Sequence, residues 1–157
     1  MTHLLPDLRA FGRFLTRDPV AADDLVQDTV VRALAAQASF RPGTNLKAWL
    51  FTIERNAFYE QARRRRRETR VLSEQMQGAG SQAPEAHGRS DLSDLARMLW
   101  TLPPLLREAL VLVGAQELSH EEAAAICGVP IGTMKARVSR ARGQLARSMD
   151  GTGDAPG

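Results

Sequence analysis

One cysteine, three histidines and no long hydrophobic run are what this 157-residue chain contains, and each scarcity removes a class of function. A lone Cys127 cannot form an intrachain disulfide and does not support a cysteine-based zinc site, so a reducing cytoplasm is the natural setting. Cys127 itself reads as a small core residue. No apolar stretch approaches the roughly 20 residues that span a bilayer. The N-terminus also lacks a basic start followed by a hydrophobic block, so neither export nor membrane insertion is expected. His3, His87 and His120 fall in a terminus, a linker and a capped turn, and His120-Glu121-Glu122-Ala123-Ala124 lacks the second histidine of a zinc-protease helix. There is no glycine loop of the phosphate-binding kind, and no pair of acids is spaced as a general acid and base. No enzymatic activity, metal or cofactor is therefore expected.

What is present is segregated charge. With 43% hydrophobic residues the chain can bury one ordinary core or two small ones. Its net charge of +3 hides two cationic segments. Arg63 to Arg70 holds six arginines against Glu68, and Ile131 to Arg147 holds five cations and no acid; each contributes +5, which leaves −7 for the rest. Two separated basic segments on an acidic body point to two contacts with a polyanion.

No strand pattern and no internal repeat is visible, so an all-α fold is expected. Leu4 to Leu15 suits a short amphipathic helix, interrupted at Asp18-Pro19 before a second begins around Val20 and ends near Ser39. Phe40-Arg41-Pro42-Gly43-Thr44 reads as a loop, and Asn45 as the cap of a long helix from Leu46 to about Arg67, in which Leu46, Leu50, Ile53, Ala57 and Gln61 follow helical spacing. Ser73 to Ser90 is rich in Gly, Ser, Gln, Ala and Pro without an apolar period. Asp91 to Leu102 and Leu105 to Gly114 suit two further helices divided by Pro103-Pro104. The expected organisation is two small helical domains, 1–70 and 95–149, joined by a flexible linker over 71–94 and followed by a tail over 150–157. A linker of about 20 residues has a coil span of roughly 25 Å and extends towards roughly 65 Å.

The second domain carries the most informative run. Ser119 and Glu122 have the spacing of a capping box, and Ala123, Ala124 and Ile126 supply small apolar surface. Gly128, Pro130 and Gly132 then break the helix, so a new one starts near Ile131. In it Met134, Val138, Ala141 and Leu145 form one apolar stripe while Lys135, Arg137, Arg140, Arg142 and Arg147 occupy the remaining surface. A helix that packs on one side and is cationic on the others fits a major groove, the geometry of a helix-turn-helix. A solvated basic helix is the plainer reading, and the capped first helix and the turn weigh against it.

Two other constellations stand in the first domain. Leu25, Val26, Thr29 and Ala33 form a buried side of one helix, and Asp24, Gln27, Asp28 and Val31 the opposite side, either a solvated face or a dock for a basic partner helix. Lys47 to Tyr59 combines Trp49, Phe51, Phe58 and Tyr59 in one helix that ends in Arg63 to Arg67. Aromatics beside cations suit an opened DNA strand, each stacked base contributing about 1 to 3 kcal/mol. Against this, Trp49, Ile53 and Phe58 suit ordinary core positions, at least two of the four aromatics are expected there, and only some can face DNA.

On these residues the chain resembles the extracytoplasmic-function sigma factors, promoter-specificity subunits of bacterial RNA polymerase. Ala22-Asp23-Asp24-Leu25-Val26-Gln27-Asp28-Thr29 is similar to region 2.2, Asn45 to Arg67 to regions 2.3 and 2.4, and Leu102 to Leu145 to region 4. The resemblance implies that Asp24, Gln27 and Asp28 bind the polymerase core. It implies that the loop Phe40 to Asn45 and the following helix read and open the minus-10 element with capture of a flipped base, through Lys47, Arg55, Asn56 and Tyr59, with Arg63 and Arg66. It places Lys135, Ala136, Ser139 and Arg140 at bases of the minus-35 element, with Thr133, Arg137 and Arg142 nearer the phosphates or the core.

Leu8-Arg9-Ala10-Phe11, Arg41-Pro42-Gly43-Thr44-Asn45-Leu46-Lys47-Ala48-Trp49 and Leu112-Val113-Gly114-Ala115 are similar to the general-stress-response subgroup. Its members are held by a small anti-sigma protein until a response regulator with a sigma-like domain displaces them. Ser139 stands where that subgroup often has Asn, so its minus-35 preference is not carried over. The implied partners are RNA polymerase core, promoter DNA and an anti-sigma factor, with no membrane and no small-molecule substrate. Two rivals remain: a stand-alone helix-turn-helix regulator, and a sigma-mimic that binds only the inhibitor.

Overall fold

The computed structural model describes residues 2–75 and 91–150, and all regular structure among them is helical. The chain divides into two units, Met1–Ala86 and His87–Gly157.

In the first unit α1 (Leu5–Thr16), α2 (Pro19–Ala35) and α3 (Leu46–Gln75) pack pairwise against one another. α1 stops at Arg17, whose left-handed backbone (φ 61°) turns the chain, and Asp18 caps α2 by accepting from the Ala21 N–H at 3.2 Å. Pro19 then occupies the first turn, where its missing N–H costs nothing. Leu8, Phe11, Ala22, Leu25, Leu50, Phe51 and Ala57 are wholly buried between the three helices, and the Phe11 and Phe51 rings stack at 4.6 Å. Asn45 caps α3 by accepting from Ala48 N–H. A 3-10 turn over Gln37–Ser39 and the Phe40 to Asn45 loop join α2 to α3.

Three differences from the expected boundaries follow. α2 ends at Ala35, short of Ser39. α3 does not stop near Arg67 but runs on to Gln75, because nothing in its arginine-rich stretch breaks a helix. α4 (Asp91–Leu99) starts at Asp91 as expected but ends short of Leu102, and helix covers 71–75 and 91–94 of the expected linker. The central part of that linker, 76–90, lies outside the described residues, as does 151–157 of the tail.

In the second unit α5 (Pro104–Leu110) passes into a π-helical turn over Val111–Ala115, then α6 (His120–Cys127) and α7 (Ile131–Asp150) follow. α4, α5 and α6 all pack on α7. Arg107 is buried at the α4 to α5 turn, its guanidinium 3.7 Å from the Trp100 ring centroid and donating to the Leu102 carbonyl at 3.2 Å. The core is Leu102, Leu106, Ala109, Leu112, Ala123, Ile126, Met134, Val138 and Ala141. Cys127 is half-buried at its margin rather than inside it.

Candidate nucleic-acid interface

The capping box that opens α6 is complete: Glu122 N–H donates to Ser119 Oγ at 2.9 Å and Ser119 N–H to Glu122 Oε1 at 3.0 Å. Gly128 ends α6 with φ 69°, a left-handed conformation that a side chain would strain. This short turn aims α7 across α6. Met134, Val138 and Ala141 are wholly buried and Leu145 half-buried, so the apolar stripe faces the core. Lys135, Ser139, Arg140 and Arg142 are exposed, while Thr133, Ala136 and Arg137 are half-buried along the margin. At 100° per residue Ala136, Ser139 and Arg140 lie opposite the stripe, with Lys135 next to them and Thr133, Arg137 and Arg142 flanking. All seven residues therefore surround one outward face whose formal charge is carried by cations alone.

On α3 the packed side runs through Leu50, Phe51, Glu54 and Ala57. Opposite it, at alternating spacings of three and four, lie Trp49, Thr52, Asn56, Tyr59, Arg63, Arg66 and Arg70. Four of the six residues expected at the minus-10 element, Asn56, Tyr59, Arg63 and Arg66, share this stripe. Arg55 borders it, its guanidinium 4.7 Å from the Tyr59 ring centroid. Lys47 is not brought there: it sits half a turn round the helix, Nζ 3.6 Å from Asp7 Oδ2 on α1.

The aromatics also separate. Phe51 is the core residue; Trp49, Ile53 and Phe58, candidates for the core, are only half-buried. Trp49 meets Phe40 of the preceding loop at 5.1 Å, and Tyr59 meets Phe58 edge-on at 5.0 Å. Trp49 and Tyr59 thus lie, half-buried, on the side of α3 away from its packed face.

The α2 face behaves as two parts. Asp24 and Gln27 are exposed, and Val31 and Leu34 continue the ridge with 65% and 55% of their surface open, a large exposure for apolar side chains. Asp28 is engaged within the domain, accepting from Arg32 Nε at 3.1 Å and from Gln61 Nε2 at 3.0 Å. Arg32 reaches on to Glu60 Oε1 at 2.6 Å and holds that carboxyl below the usual range. This strut joins α2 to the helix that bears Asn56 and Tyr59. It escapes a reading by spacing along one helix, because its members lie on two.

Glu54 is the other unforeseen residue. It is wholly buried, neither carboxylate oxygen has a hydrogen-bond partner among the described residues, and burial pushes it up to about 9. Gly12 on α1 makes the room, since a Cβ there would lie 2.9 Å from Glu54 Oε2. At neutral pH the side chain is an uncharged acid in the core beneath α3. No helix among the described residues is long and apolar enough to cross a membrane.

Residues 1–68 match sigma-70 region 2 and residues 92–145 match sigma-70 region 4. Among curated proteins, the ECF RNA polymerase sigma factor EcfG of Rhodopseudomonas palustris is 46% identical over 142 residues, covering 90% of this chain and 78% of its own. The ECF RNA polymerase sigma factor SigC of Mycobacterium tuberculosis is 36% identical over 142 residues, covering 88% and 75%. The solved structure of the sigma factor RpoE in complex with the anti-sigma factor NepR from Bartonella quintana is similar with a TM-score of 0.78 and 46% identity, over 98% of this chain and 95% of that one. That of CnrH in complex with the cytosolic domain of CnrY gives 0.68 and 28%, over 98% and 86%. The chain belongs to the ECF RNA polymerase sigma factors of the sigma-70 family.

Proposed function

We propose that the protein recruits RNA polymerase core in the cytoplasm to promoters with two recognition elements and helps to open the minus-10 element, performing no bond chemistry itself. α7 reads the minus-35 element through Lys135, Ala136, Ser139 and Arg140, with Thr133, Arg137 and Arg142 beside the phosphates. The α3 stripe from Asn56 to Arg66 serves the minus-10 element, with Arg55 supporting Tyr59 and Lys47 acting from the α1 side. Asp24 and Gln27, continued by Val31 and Leu34, dock on the core, and Asp28 acts chiefly as the strut to Arg32 and Gln61. The observation that carries this reading is the cation-only outward face of α7, held by a buried stripe, in the same chain as an exposed acidic and apolar ridge on α2.

Control by an anti-sigma protein in stress-response transcription is supported by the partners of its relatives. RpoE of Bartonella quintana is bound to an anti-sigma factor, and CnrH to the cytosolic domain of CnrY. A small inhibitor covering the α2 ridge would block core binding without unfolding either domain.

Run-off transcription with purified core on a randomised promoter pool tests the reading. Arg140→Ala should weaken promoter use by about 1 to 3 kcal/mol, roughly 5- to 150-fold, and spare core binding. Asp24→Lys should do the opposite. Asp28→Lys is a poorer probe, since it also breaks the strut to α3. Equal loss of both activities in the Arg140 and Asp24 variants would count against the assignment, and protection of a duplex operator without polymerase would favour a stand-alone regulator. Core-bound protein that starts transcription on no promoter would favour a mimic.

A further inference from the structure

We propose that Arg32 and Glu60 are positioning residues for the minus-10 element: their ion pair, closed into a ring by Asp28 and Gln61, fixes the turn of α3 that carries Asn56 and Tyr59 against α2. The role rests on the minus-10 reading of Asn56 and Tyr59, and neither Arg32 nor Glu60 need touch DNA to perform it.

Apolar packing runs out along this stretch of α3. Ala57 is its last wholly buried residue among those described, Phe58 to Ala62 are half-buried, and Arg63 to Val71 are exposed. Asn56 and Tyr59 therefore stand where the core ceases to fix the helix by itself, and the ring lies at that place. Arg32 Nε donates to Asp28 Oδ1 at 3.1 Å on its own helix, which aims Nη2 at Glu60 Oε1, 2.6 Å away; Gln61 Nε2 donates to Asp28 Oδ2 at 3.0 Å. Two consecutive residues of α3 are thus held from two residues one turn apart on α2. Two separated ties resist rotation of α3 about its axis, which a single tie would not. At 100° per residue Glu60 lies about 40° from Asn56 and one turn beyond it, with Tyr59 immediately before, so any such rotation would carry all three together. On the other helix Asp28 and Arg32 each follow a residue of the exposed ridge, Gln27 and Val31, so the ring refers the strand-reading turn to the ridge proposed to dock on the core.

Exposed ion pairs contribute little to stability, and all four side chains are only half-buried, so stability is a poor account of the circuit. What a closed ring supplies is geometry, which a reading face requires. Charge alone gives the opposite sign. Glu60 is an acid next to Tyr59 and three residues from Arg63, and were charge all that counted, its removal would strengthen attraction to phosphates.

The test uses full-length protein assembled with core polymerase, and the unpaired non-template strand of the minus-10 element from a promoter recovered by run-off selection on a randomised pool. Affinity is measured at raised ionic strength, where exposed charges are screened. Glu60→Gln should weaken binding of this strand by roughly two- to fivefold, the span of exposed charge pairs, and Arg32→Gln should do the same. Core affinity should stay unchanged in both. In a Tyr59→Ala background Glu60→Gln should lose more than half of its effect, because it acts through the reading residues. Tighter or unchanged strand binding by Glu60→Gln, full additivity with Tyr59→Ala, or an equal loss of core affinity would each overturn the positioning role. If wild-type holoenzyme does not bind the strand, or Tyr59→Ala leaves its affinity intact, the minus-10 reading of α3 falls and the role with it; a strand bound through Tyr59 and indifferent to Arg32 and Glu60 sinks the ring alone.

Discussion

Along α7 the cations alternate with buried Met134, Val138 and Ala141, whereas the arginines of α3 begin where its packing ends. Both segments carry +5, so charge does not distinguish them. Support does. A side chain whose helix is pinned by a core on the opposite side has its Cα held in place, which discrimination between base edges requires. An arginine on an unsupported helix has no such constraint and suits phosphates, which tolerate displacement. The same composition thus stands on two kinds of support, a packed stripe in α7 and the exposed end of α3.

The most damaging way to break this contrast is to remove the support of α7. Met134→Ala leaves every cation in place but empties the space under the reading face, and should cost the second domain about 2 to 5 kcal/mol. Thermal denaturation would measure that loss, and promoter binding at temperatures where the variant is still folded would show weaker discrimination at minus-35. Unchanged discrimination would mean that the stripe does not position the helix.

Glu54 sharpens the other side of the contrast, since it places a weak point under the packed half of α3. A carboxyl raised in the folded state binds its proton more tightly than in the unfolded chain, so stability is greatest below the ordinary value of 4.5 and falls as pH rises towards about 9. The slope attributable to this group approaches about 1 kcal/mol per pH unit in between. Glu54→Leu should raise the melting temperature at pH 8 more than at pH 5. A difference between wild type and variant that is constant with pH would show that the acid does not titrate in this way.

The smallest effect concerns the entrance to the helix-turn-helix. Ser119→Ala removes one half of the capping box and should cost about 1 kcal/mol, with little change in promoter selectivity, because the turn at Gly128 and the stripe of α7 remain. Chemical denaturation of the variant would report it; a loss of selectivity larger than the loss of stability would mean that α6 orients α7 more directly.

Local features were readable from the chain alone: the Ser119 and Glu122 box, the Asp18 to Pro19 start, the Gly128 break and the α7 stripe each involve residues within a few positions of one another. The side of α3 that packs was not. Leu50, Ile53 and Ala57 fit a helical face as well as Leu50, Glu54 and Ala57 do, and packing against Phe11, Gly12 and Ala22 turned Glu54 inward and left Ile53 half-open. An acid is read as surface by default, because burying it costs free energy that only the surrounding helices can offset. Likewise spacing groups Asp28 with Asp24 and Gln27 on one acidic face, and only the hydrogen bonds from Arg32 and Gln61 set it apart.

The order of its segments, the segregation of its charge and the caps that start and stop most of its helices are properties this sequence determines unaided, since they depend on neighbours along the chain and on helical spacing. Tertiary structure alone decided which side of α3 became core, which of Asp24 and Asp28 stayed open, and where α3 ceased to be supported. Those outcomes depend on contacts between helices distant in sequence, and several registers of the same pattern satisfy the local rules equally well.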